Sequence, residues 1–96
     1  MNSARGEVRV ELAGAPRRLC LTLGALAEIE AGLGVEGATA LAERVRSLSA
    51  QDLLVVLAAL LRGGGEMDLA DGLARAAIDP RAAADAVGRA FAAAAA

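Results

Sequence analysis

Polar and apolar residues alternate along two stretches near the start of the chain. In Glu7–Leu12, Val8, Val10 and Leu12 share one face while Glu7, Arg9 and Glu11 share the other. In residues 17–23, Leu19, Leu21 and Leu23 fall on one side and Arg18, Cys20 and Thr22 on the opposite one. A period of two belongs to a β-strand with one buried side. Ala13-Gly14-Ala15-Pro16, between them, combines a flexible turn residue with one that cannot donate to a ladder. The pattern predicts a β-hairpin. Because an isolated hairpin is marginal in water, its apolar face needs a cover.

From Gly24 onward the period is helical. Leu26, Ile29 and Leu33 predict a first helix, stopped by Gly34. Residues 38–48 predict a second, with Leu41, Val45 and Leu48 on one stripe. Ser49-Ala50-Gln51-Asp52 has the form of a capping box, with Asp where Glu or Gln is usual. The third helix, 51–62, is apolar all round from Leu53 to Leu61, as expected of a helix at the centre of its domain. Gly63, Gly64 and Gly65 then predict a flexible break. Asp68 is the expected cap of a short fourth helix holding Leu69 and Leu73. Asp79-Pro80 opens a last helix, with Ala83, Val87 and Phe91 on one stripe. The alanine run 92–96 is expected to fray, having little to bury.

Together these elements predict an α+β fold in which an N-terminal β-hairpin packs on four to five short α-helices. The expected organisation is one small domain over residues 1–96: hairpin 5–23, helical core 24–62, and C-terminal helices 66–96 after the glycines. Val10, Leu21 and Leu57 are expected in the core, with the hairpin lying on the all-apolar helix. A chain of 96 residues has room for one domain and one modest core.

Composition narrows the chemistry. The chain has no His, Lys, Trp or Tyr, and a single Cys and Phe. Nucleophile systems that need His, His-based zinc sites, phosphate-binding Lys loops and Schiff-base chemistry all lack their residues. One cysteine makes no internal disulfide. The expectation is a non-enzyme with no cofactor, no catalytic residue and no metal site. Ten Arg stand against twelve acids, a net charge of −2, with no basic stripe and no aromatic platform, so no nucleic-acid partner is expected. The uncharged apolar run 53–61 is about half of the ~20 residues that span a bilayer. With no apolar signal core at the N-terminus either, a cytoplasmic protein without a membrane partner is expected.

The candidate sites are few. Glu28 and Glu30 stand two apart on a helix, do not converge, and read as a solvated face. Asp68 and Asp71 read as helix-start acids, and with Glu66 they lack the alternate spacing of an oxygen-ligand metal loop. The glycine run follows a helix, the wrong side for cradling phosphate. Cys20, placed on the polar face, has no neighbour type that would activate it. The stripe Ala83, Val87 and Phe91 has two readings: closure of the core, or a partner-binding surface with Phe91 as its aromatic anchor.

Two segments carry a family resemblance: LCLTLGALAEIEAGLG (19–34) and SLSAQDLLVVLAALLRGGG (47–65), preceded by RGEVRVEL. Over about residues 5–78 the chain resembles the small tail assembly chaperones of gene transfer agents and related long-tailed phages, which older labels call tail tube proteins. The LTLGALAEIE string is the most specific part. The resemblance implies a non-enzymatic protein that coats the tape measure protein during tail assembly. It would present tail tube protein to it, then leave the finished particle. No catalytic residues transfer, since the family has none that define it. The older label implies a structural tail component instead, although tube subunits are usually larger and richer in strands. A small regulatory adaptor is a third reading, and self-association into a homo-oligomer is open under each.

Overall fold

Ala13 and Gly14 both take positive φ, +53° and +81°, the signature of a two-residue turn whose twist matches that of the strands it joins. In the computed structural model, which describes residues 6–95, this turn connects β1 (Glu7–Leu12) to β2 (Ala15–Cys20). The hairpin boundary placed at residue 5 and the terminal Ala96 lie outside the described residues. The strands pair antiparallel from Leu12↔Ala15 to Glu7↔Cys20. The turn is narrower than the expected four residues, because Ala15 and Pro16 belong to β2. Pro16 is accommodated by the pairing alternation: opposite Glu11 its nitrogen points away from β1, where no hydrogen bond is lost.

The second strand stops three residues earlier than its alternation predicts. Thr22 is extended and its hydroxyl accepts from the Ala25 amide at 3.0 Å, capping α1 (Leu23–Leu33). The cap hydroxyl, which sequence alternation placed on a strand face, decides the boundary. Leu21 is therefore only half-buried, and Leu23, the first helical residue, is 82% exposed. Cys20 departs from expectation as well. It is 4% exposed, because the end of α3 lies against it.

After α1 come α2 (Ala38–Val45), α3 (Ala50–Gly63), α4 (Met67–Asp71), a 3₁₀ turn (Leu73–Arg75) and α5 (Pro80–Ala95). The Ser49 hydroxyl accepts from the Asp52 amide at 3.1 Å and starts α3 as its sequence predicts. Asp68 does not cap α4: Glu66 holds that position, with no side-chain cap bond, and Asp68 lies inside the first turn. α3 is the central element. It buries Val56, Leu57, Ala59, Leu60 and Leu61 and touches α1, β2, α4, α5 and the 3₁₀ turn.

The apolar face of the hairpin has two covers. α3 packs on β2, as expected, while α5 lies across β1 and β2. One cluster of buried side chains joins Val10, Leu12 and Leu19 of the hairpin to all the helices. α5 turns Ala83, Ala86, Val87 and Ala90 inward, and side chains this small let its backbone come close. A Cβ on Gly6 would stand 3.2 Å from the Ala94 Cα. The alanine run is thus regular helix to Ala95, with Ala93 and Ala94 half-buried, where fraying was expected.

The three glycines after Leu61–Arg62 are not a linker. Gly63 ends α3, and a Cβ there would strike the Cys20 carbonyl oxygen; one on Gly64 would strike that of Arg18. Gly65 takes φ +87°. Its amide and that of Glu66 donate to the carbonyls of Arg62 and Leu61 at 3.0 and 2.8 Å, the Schellman closure that a left-handed glycine permits. Close approach and a reversed φ explain the run.

α2 is held differently. Of its residues only Leu41 is buried. Arg44 bridges its surroundings, donating to Asp52 Oδ2 at 3.1 and 2.8 Å and to the Leu33 carbonyl at 3.1 Å. The Glu30 carboxylate accepts from the Gly37 amide at 3.1 Å.

Candidate functional site

The stretch of α3 from Leu53 to Leu61 is apolar all round and carries more apolar surface than its neighbours cover. The excess emerges at Leu54, which is 39% exposed. On one side of Leu54 lies a groove of about 240 Å³, floored by Leu53 and Leu57 and walled by Leu73, Ala74, Ile78, Pro80 and Ala83. On the other side a shallower depression runs over Val55 and Ala58 towards α1 and α4. Leu54, Leu73 and Ala74 line both, so the two adjoin as a channel over α3, apolar on the first side and carrying Glu28, Arg62 and Asp71 on the second.

Local sequence explains the walls. The 3₁₀ turn drives Leu73 into the core while leaving Ala74 at the surface. Asp79 Oδ1 accepts from the Arg81 amide at 3.3 Å, so α5 starts at Pro80 and lays Ala83 beside Leu57. At the far end of the channel Arg62 pairs with Glu28 and, at 3.7 Å, with Asp71. Gly32 keeps the α1 wall low: a Cβ there would collide with the Val55 side chain. Such a channel offers van der Waals contact and desolvation to a helix laid into it, with charges at one end to set direction. The carboxylates that line it, Glu28 and Asp71, are both paired with Arg62.

Of the stripe proposed from the sequence, Ala83 is buried and lines the groove, Val87 is 2% exposed inside the core, and Phe91 is half-buried against that core. Phe91 is therefore the member with side-chain surface left over. Leu54, Leu73, Ala74 and Ile78 were missed. The signal for Leu54 was the helix without a polar face, read as wholly internal.

Of the other candidate carboxylates, Glu66 pairs with Arg17 and Asp71 with Arg62. Glu28 pairs with Arg62, while Glu30 caps the start of α2. Among the described residues no three His, Cys, Asp or Glu side chains converge as metal ligands, and no helix is long and apolar enough to cross a membrane. Burial first, and then the Glu7 carboxylate, push the Cys20 thiol above its ordinary pKa, away from the reactive thiolate.

No curated protein and no solved structure matches the chain. A family model described as phage tail tube protein, GTA-gp10, matches residues 5–96, taking in the hairpin, all the helices and both walls of the channel. The chain belongs to that family of phage and gene transfer agent tail proteins.

Proposed function

We propose that the chain is a non-enzymatic tail assembly chaperone that holds an amphipathic helix of the tape measure protein in the channel over α3. The observation behind this reading is the exposed apolar channel centred on Leu54. A long helical partner with apolar stripes needs such a cover while it waits for the tube to form, and a groove lined by aliphatic side chains supplies it. The test is co-expression with segments of the neighbouring tape measure gene, followed by affinity capture. Leu54→Asp, at a partly exposed position, should abolish capture while leaving the circular dichroism spectrum unchanged. Capture by the variant at the wild-type level would refute the reading.

The family's own description favours a second reading, a structural component of the tail. The two readings differ in where the protein ends up. A chaperone is absent from purified particles, whereas a structural part is present in stoichiometric amount. Quantitative mass spectrometry of particles decides between them.

A further inference from the structure

The two edges of the hairpin differ. Along the outer side of β2, Pro16 has no N–H, the Arg18 amide donates to Glu66 Oε2 at 3.1 Å, and Gly63 and Gly64 press on the carbonyls of Cys20 and Arg18. That edge is sealed. Along β1, the pairing alternation turns the N–H and C=O of Arg9 and Glu11 outward, and no group among the described residues bonds to them. Their side chains are exposed and without an ion pair among the described residues. Arg9 even stands directly opposite Arg18 in the ladder, an unfavourable like-charge pair.

We propose that β1 is the pairing edge for a second copy of this chain, joined antiparallel about Val10 into a four-stranded sheet. Hydrogen bonds form across the junction only if outward-facing residues meet, so the axis passes through a residue; one at Glu11 opposes Glu11 to itself, which leaves Val8, Arg9 and Val10 to compare. An axis at Arg9 sets Arg9 against Arg9 and Glu7 against Glu11, all like charges. An axis at Val8 relies on Glu7, which already serves Arg18 at 4.0 Å, and draws in the end of β1 where Gly6 abuts α5. The axis at Val10 sets Arg9 against the copy's Glu11 at both ends, each pair exchanging two backbone hydrogen bonds, and matches Val8 with Leu12. The alternation Glu-Arg-Glu thereby selects one register and rejects its neighbour. The inference does not depend on the channel or on the tail reading.

Sedimentation of the full chain over a concentration series at low salt tests it, using wild type, Arg9→Glu, Glu11→Arg and the double exchange. Each single variant turns both symmetric pairs repulsive and should weaken self-association about tenfold or more, and the double exchange should restore it. Hydrogen exchange adds a measurement that needs no variant: the Arg9 and Glu11 amides should gain protection as concentration rises. A wild-type chain that stays monomeric, single variants that associate normally, a double exchange that fails to rescue, or unprotected amides in the associated state would each overturn the proposal.

Discussion

Replacing Gly64 with alanine puts a methyl group inside the envelope of the Arg18 carbonyl oxygen and 3.0 Å from the Leu19 nitrogen. Both obstacles are backbone, in a strand paired on its other side to β1, so neither can swing aside as a side-chain tip would. Either α3 backs away from β2 or its last turn distorts. Overpacking of this kind costs ~1–3 kcal/mol, of which the stiffer unfolded chain returns a fraction, leaving a loss of about 2 kcal/mol. In a chain of this size 1 kcal/mol moves Tm by ~4–8 °C, so Tm should fall by about 8–16 °C. Gly88 is the control. It is exposed inside α5 with no atom within 4 Å of its would-be Cβ. Gly88→Ala should therefore raise stability by about 1 kcal/mol, the ordinary helix-propensity gain. Thermal unfolding followed by circular dichroism reads both. If the glycines were a linker, Gly64→Ala would be neutral or stabilising, like Gly88→Ala, and that result would refute the packing argument.

Three further outcomes are expected. Leu57→Ala, at a site 2% exposed beneath the channel, should destabilise by roughly 2–5 kcal/mol in denaturant titration; a loss under about 0.5 kcal/mol would misplace the core. Phe91→Ala, half-buried, should cost less than the ~3–5 kcal/mol of a core aromatic, and a loss in that full range would make it a core plug with no surface role. The raised pKa of Cys20 sets a pH trend, since the folded state keeps its proton longer than the unfolded one. The resulting stability is present in full below the ordinary thiol value and lost as pH rises through the folded value. Melts at increasing alkaline pH should therefore decline more steeply for wild type than for Cys20→Ala, and parallel curves would remove the effect.

The first strand was legible because Val8, Val10 and Leu12 alternate under a single constraint, one buried face. The second was overread because Leu21 and Leu23 prolong an alternation that the Thr22 hydroxyl interrupts, a bond local in space but invisible to a period count. The central place of α3 followed from its composition. Its limits did not, because the walls of the channel come from a 3₁₀ turn and a distant helix end, and no periodicity reports where those meet. Gly63, Gly64 and Gly65 show the same gap. Composition alone says that such residues are permissive, and only the tertiary neighbour at Arg18 and Cys20 says what they permit. The alanine-rich end misled for a related reason. Small side chains bury little area each, yet they suit a helix that lies tight on a hairpin.

The anchoring of α2 has a consequence for how the fold comes apart. A helix held by buried Leu41, half-buried Val45 and charged and polar contacts draws less of its stability from desolvation than α3, which buries five residues. Ionic strength weakens the Arg44–Asp52 attachment while leaving the apolar core almost untouched. The energetic map of the molecule is therefore graded. α2 opens at a low free energy that salt tunes, whereas α3 and the hairpin yield only in the global transition.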